Sequence, residues 1–126
     1  MQKELIIKKC KSCGAIVKVI EDCNCNGCGI ICCEKPMEKL VPNSTDAAVE
    51  KHVPTYEKIE NEINVKVNHV MEEEHYIEWI CLVTEERECM VKFSAGQKAE
   101  TKFPYIPGST IYAYCNKHGL WKKEVE

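Results

Sequence analysis

The stretch Tyr76-Ile77-Glu78-Trp79-Ile80-Cys81-Leu82-Val83 decides the fold class. Ile77, Trp79, Cys81 and Val83 alternate with Tyr76, Glu78, Ile80 and Leu82, the two-residue period of a strand. Both sets are largely apolar, as expected for an inner strand of a sandwich. Upstream, Ile63, Val65 and Val67 alternate with Asn64, Lys66 and Asn68, a half-buried strand. Glu60-Asn61-Glu62 reads as its turn from a strand over Tyr56–Ile59. Downstream, Cys89, Val91 and Phe93 alternate until Ser94-Ala95-Gly96 breaks the run, and Thr110–Cys115 is rich in β-branched and aromatic residues. No helix longer than two turns is expected. Short strands separated by turn signals predict a mostly β chain built on an antiparallel sandwich.

The 126 residues include ten cysteines and carry a net charge of −3. That charge argues against a nucleic-acid or anionic-membrane partner, and no apolar run approaches the roughly 20 residues of a membrane span. The first residues, Met1 to Lys9, show no secretory signal. The expected location is therefore a reducing cytoplasm, where cysteines serve as metal ligands or buried thiols more often than as disulfides. Seven of the cysteines lie between Cys10 and Cys33, whereas all four histidines come later. The turn-forming segment Leu40–Asp46 marks a joint. Residues 1–41 form a head with seven lysines against five acids, and residues 42–126 form a body with ten basic and fifteen acidic side chains. A head of that size needs a staple such as a metal ion.

Cys10-Lys11-Ser12-Cys13-Gly14 is a metal knuckle: two thiolates separated by two residues reach one ion, and the glycine admits backbone N–H groups to the sulfurs. Two pairs could complete a tetrathiolate. Cys25-Asn26-Gly27-Cys28 would give a zinc-ribbon pattern; the adjacent Cys32-Cys33 would give a tighter site; Cys23 is spare in either case. Zinc and iron both suit four sulfurs. In the body, His69 and His75 flank a short loop before a strand, His52 precedes Val53-Pro54 in extended backbone, and Cys115-Asn116-Lys117-His118 is a Cys-x-x-His at a strand end. Singly, each histidine is an ordinary surface or core residue. Grouped, they make a candidate site of four nitrogens and one sulfur. Cys81 and Cys89 fall in strand patterns and read as buried thiols, and Trp79 and Trp121 as core or site-wall residues.

Cys10-x-x-Cys13-Gly14 with Cys32-Cys33-Glu34-Lys35-Pro36-Met37 resembles the desulforedoxin-type head of desulfoferrodoxins, although the loop carrying Cys23, Cys25 and Cys28 departs from that pattern. Glu50-Lys51-His52-Val53-Pro54, His69-x-Met71-x₃-His75-x-Ile77-x-Trp79-Ile80 and Cys115-Asn116-x-His118-Gly119-x-Trp121 resemble the superoxide reductase (neelaredoxin-type) domain. The resemblance implies a rubredoxin-like metal-stapled head followed by an immunoglobulin-like antiparallel β-sandwich. It implies two iron ions: one held by Cys10, Cys13, Cys32 and Cys33, the other by equatorial His52, His69, His75 and His118 with Cys115 as axial thiolate. Glu50 and Lys51 match loop residues beside the open sixth position. The implied activity is one-electron reduction of superoxide to hydrogen peroxide, with the tetrathiolate centre as relay, an external donor such as rubredoxin, and a homodimeric assembly.

Two other readings of the same residues make different predictions. A rubredoxin-like electron carrier on an inert sandwich requires no metal at His52 or Cys115. A zinc-ribbon interaction module requires a colourless head held by Cys10, Cys13, Cys25 and Cys28.

Overall fold

The computed structural model of the chain describes residues 4–24, 29–44 and 52–126. Among the described residues every regular element is a strand, and no helix is long and apolar enough to cross a membrane. The chain divides into two compact units, the head at Glu4–Val41 and the body at Pro42–Glu126.

In the head, β1 (Ile6–Lys9) lies between β2 (Ile16–Val19) and β5 (Glu38–Lys39), with Ile6 opposite Val19 and Lys9 opposite Glu38. Among its described residues the buried apolar side chains are few: Leu5, Ile7, Cys10 and Met37. Lys8 is also buried and pairs with Asp22 at 2.8 Å. A separate hairpin joins β3 (Ile31–Cys32) to β4 (Lys35–Pro36), with Cys32 opposite Lys35. The two residues between them, Cys33 and Glu34, have φ of 52° and 67°. A two-residue hairpin whose twist matches its strands needs positive φ at both positions, and Asn-Gly is the usual solution. Cys33 and Glu34 meet that demand with full side chains, at a cost of about 1–3 kcal/mol each.

The body is a face-to-face pair of antiparallel sheets. One has the order β10 (Glu100–Pro104), β7 (Glu62–Lys66), β6 (Thr55–Ile59); the other has β12 (Gly119–Glu124), β11 (Thr110–Cys115), β8 (Ile77–Val83), β9 (Glu88–Lys92). The alternation of Ile63 and Val65 places both in the core beside Phe103, against Ile80, Leu82, Ile111, Ala113 and Cys115 of the second sheet. The turn at Glu60-Asn61 sets Ile59 opposite Glu62, and Glu60 takes the left-handed conformation there, with φ 58°.

The inner strand β8 departs from simple alternation. Its register against β11 shifts between Tyr114, which faces Trp79, and Cys115, which faces Ile77. Glu78 is the extra residue of this bulge. A bulge reverses the pleat, so Ile77 joins Ile80 and Leu82 in the core, while Trp79 stacks on Tyr114 across the other face, ring centroids 5.6 Å apart. Cys81 is fully buried, as the strand pattern leads one to expect. Cys89 is not: it lies opposite Leu82 but near the start of the edge strand β9, and it is exposed. An alternating pattern gives the face of a residue and not whether neighbours cover it.

Candidate metal centres

The antiparallel order brings five strand ends together. The start of β6 pairs with the end of β7, Thr55 opposite Lys66, and the start of β8 pairs with the end of β11, Ile77 opposite Cys115. The loops at this end carry His52, His69, His75, Cys115 and His118. Their ligating atoms all lie within 4.8 Å of one another.

Each histidine is placed by a local device. His52 is buried and stacks on Trp121, centroids 4.9 Å apart and planes 24° from parallel. His69 directs Nδ1 at the Val70 carbonyl. That contact assigns the ring proton to Nδ1 and leaves the Nε2 lone pair for a cation. Glu72 and His75 exchange both backbone hydrogen bonds, 3.0 and 3.1 Å, around the two residues Glu73-Glu74. This reversal carries His75 back beside His69, with ring centroids 4.5 Å apart. Cys115 precedes the three-residue turn from β11 to β12, and His118 is its last residue. Gly119 closes it at φ 82°, the left-handed conformation that such a loop requires.

The four rings form a closed square. His52 meets His69 edge to face at 4.8 Å, His69 meets His75 at 4.5 Å, His75 meets His118 at 5.0 Å, and His118 meets His52 at 4.8 Å. The nitrogens turn inward: His118 Nδ1 lies 3.0 Å from His52 Nε2 and 3.3 Å from His75 Nε2. Two nitrogens at right angles, each about 2.1 Å from an ion, would lie about 3.0 Å apart. Cys115 Sγ stands 3.5 Å from His69 Nε2 and 3.8 Å from His118 Nδ1. The thiol is fully buried, whereas His69, His75 and His118 are partly exposed.

The electrostatics suit a cation. Burial lowers the pKa of His69 and of His75, which keeps the neutral, ligating form of each. Burial pushes the Cys115 thiol up, against the backbone N–H groups of Lys117 and His118, which favour the thiolate. A metal ion binding here therefore displaces a proton from sulfur. Four imidazoles and one thiolate form a donor set suited to iron, and five protein ligands leave one position of an octahedron for a small ligand.

In the head, Cys10, Cys13, Cys32 and Cys33 form the second group, again with all ligating atoms within 4.8 Å. Cys13 Sγ and Cys32 Sγ are 3.6 Å apart, close to the edge of a tetrahedron with metal–sulfur bonds of about 2.3 Å. The Cys10 thiol is lowered to about 6, chiefly by the backbone N–H of Cys13, while the side chains of Cys10 and Cys13 push Cys32 up to about 12. One thiolate forms easily and its neighbours then hold their protons, so a cation is needed to ionise the set. Both groups could bind iron. Glu50, Lys51, Cys25 and Cys28 lie outside the described residues, and Cys23 is exposed and belongs to neither group.

Two further residues support the candidate ligands: Trp121, in the core or site-wall place that the sequence suggests, and Asn116, to which the sequence assigns no role. The Trp121 indole N–H donates to the His118 carbonyl at 3.1 Å while its ring backs His52, so one buried side chain steadies two candidate ligands. Asn116 makes side-chain hydrogen bonds on both sides of His75. Spacing does not flag Asn116, although it falls inside the Cys115–Trp121 motif. Trp121→Ala should lower body stability by about 3–5 kcal/mol in denaturant unfolding; a loss under about 1 kcal/mol would show that Trp121 is not part of the packed core.

The family model for desulfoferrodoxin matches residues 44–124. A desulfoferrodoxin from Syntrophotalea carbinolica is 44% identical, covering 98% of this chain and 99% of its own. One from Clostridium acetobutylicum is 41% identical over 99% of this chain and all of its own. Among solved structures, the superoxide reductase from Treponema pallidum superposes with a TM-score of 0.67 at 25% identity, covering 97% of this chain and all of that one. With the family model spanning the whole sandwich and these relatives spanning both units, the chain belongs to the desulfoferrodoxin family.

Proposed function

We propose that the protein is a superoxide reductase whose substrate is reduced at the His52, His69, His75, His118 and Cys115 site. The observation that carries this reading is the square of four inward-turned imidazoles over a buried thiol. Iron held by these five residues would supply the one electron that, with two protons, converts superoxide to hydrogen peroxide. Cys115 contributes the single anionic donor, and its burial shields the sulfur from solvent oxidants. Trp121 and the Glu72–His75 turn hold the rings so that little rearrangement accompanies the change of charge. Lys51, next to ligand His52 in the chain, supplies positive potential for an anion approaching an acidic body and orders a proton-donating water. Glu50 would offer a further carboxylate to the iron.

Cys10, Cys13, Cys32 and Cys33 hold a second iron that relays electrons, and the single-electron stoichiometry demands an external donor such as a rubredoxin. The protein acts in the cytoplasm as a homodimer.

Pulse-generated superoxide should oxidise the ferrous protein at a rate near diffusion control, with one hydrogen peroxide formed per body iron oxidised. An iron-loaded protein inert to superoxide would overturn the proposal. Lys51→Ala should slow this reaction by at least about tenfold and flatten its dependence on ionic strength. An unchanged rate and salt profile would make Lys51 an ordinary surface charge.

A further inference from the structure

We propose that Asn116 is a positioning residue that locks His75 to the Cys115–His118 turn and so sets the geometry of the body metal site. The inference rests on the metal-site reading above. Asn116 directly follows Cys115. Its side-chain Oδ1 accepts the Tyr76 backbone N–H at 3.0 Å, and its Nδ2 donates to the Glu74 carbonyl at 3.0 Å. Its own backbone N–H donates to the Tyr76 carbonyl at 3.3 Å. These three bonds bracket His75 from both sides across 40 or more positions of sequence. The internal bonds of the Glu72–His75 turn tie His75 only to its own loop. Asn116 instead ties that loop to the turn holding two other ligands, and His75 Nε2 lies 3.3 Å from His118 Nδ1 as a result of that registration.

The chemistry is specific to an amide. The site offers one donor, the Tyr76 N–H, and one acceptor, the Glu74 carbonyl. A side chain with an acceptor and a donor on one carbon satisfies both and fixes the orientation of the amide. Aspartate has nearly the same shape, keeps the first bond and sets a negative oxygen against the Glu74 carbonyl. Alanine loses both.

The test uses full-length protein stripped of metal and titrated with Co(II), whose thiolate charge-transfer and ligand-field bands report ligand geometry. The body signal is taken as the difference from Cys115→Ser, which keeps the head cysteines. Asn116→Asp and Asn116→Ala should each bind Co(II) at the body site about 10–100-fold more weakly, with altered ligand-field bands. In a His75→Ala background the same substitutions should have no further effect, because the two changes act through one contact. A purely structural Asn116 would lower the unfolding midpoint and leave the Co(II) bands of the folded protein unchanged; that result overturns the proposal, as does full additivity with His75→Ala. If Asn116→Ala folds poorly, the nearly isosteric Asn116→Asp decides. Unmutated protein that gave no Cys115-dependent Co(II) signal would overturn the metal-site reading itself, an outcome distinct from a normal signal that Asn116 variants fail to change.

Discussion

Cys115→Ser should reduce the iron content from two atoms per chain to one and abolish superoxide reduction by the body. The five donors differ in charge: four imidazoles ligate in neutral form, and only Cys115 can bring a negative charge to a dication. A serine hydroxyl stays protonated at neutral pH and is a hard, weak donor. Because Cys115 is fully buried, no solvent anion can take its place without opening the core that it shares with Ile77 and Ile111. The pairing of β11 with β8 and β12 uses backbone groups only, so the sandwich persists in the variant. Partners one step further out in metal sites typically cost 10–100-fold when removed, and loss of the charged ligand should exceed that, with activity down by more than about a hundredfold. The body's thiolate-to-iron absorption should vanish and the head's colour remain. Two iron atoms and a normal rate in Cys115→Ser would show that the thiol is a core residue and not a ligand.

What the sequence made legible follows from what periodicity can carry. Ile63, Val65 and Val67 reveal one face of a sheet because the pleat has a period of two and one side meets a core. The same counting fails at Ile77. The bulge at Glu78 is a property of the pairing between β8 and β11, and a single strand holds no record of its partner's register. Cys89 shows the companion limit, since exposure depends on its edge position in the sheet order. The candidate ligands were visible as residue types at loop positions. Their square was legible through the family resemblance and not through spacing, because His52 and His118 are 66 positions apart and meet only through the antiparallel order. The Cys115-Asn116-Lys117-His118-Gly119 turn is the exception, where glycine after histidine marks a left-handed closure in the sequence itself. In the head, spacing left two partners for the Cys10-Cys13 knuckle. The turn that delivers Cys32 and Cys33 works through positive φ at Cys33 and Glu34, two residues whose propensities give no hint of it. Asn116 escaped for a further reason: its work is done through hydrogen bonds to distant residues, which no local pattern encodes, and Trp121 was legible as a core or site-wall residue but not as the partner of His52 and His118.

Cys10→Ser should unfold the head and leave the body intact. Cys10 is the most buried of the four candidate ligand thiols of the head, directly follows β1 and anchors the knuckle through hydrogen bonds of 2.9 Å from the Gly14 N–H to its carbonyl and from its own N–H to the Ala15 carbonyl. The other buried apolar residues of the head, Leu5, Ile7 and Met37, cannot offset the conformational entropy of nearly 40 residues. The metal must supply the difference, and structural tetrahedral sites contribute on the order of 10 kcal/mol. The left-handed residues Cys33 and Glu34 raise the demand, since their strain persists only while the surrounding structure enforces it. Hydrogen exchange should therefore show Glu4–Val41 unprotected in Cys10→Ser and Pro42–Glu126 protected as before, with one iron retained. In a single turnover the ferrous variant should still react with superoxide within about a factor of two of the parent rate. Its re-reduction by a donor that delivers electrons through the head should slow sharply. Protection of the head without its metal would mean that the apolar residues suffice. Loss of the superoxide reaction along with the head would mean that the two units do not function separately.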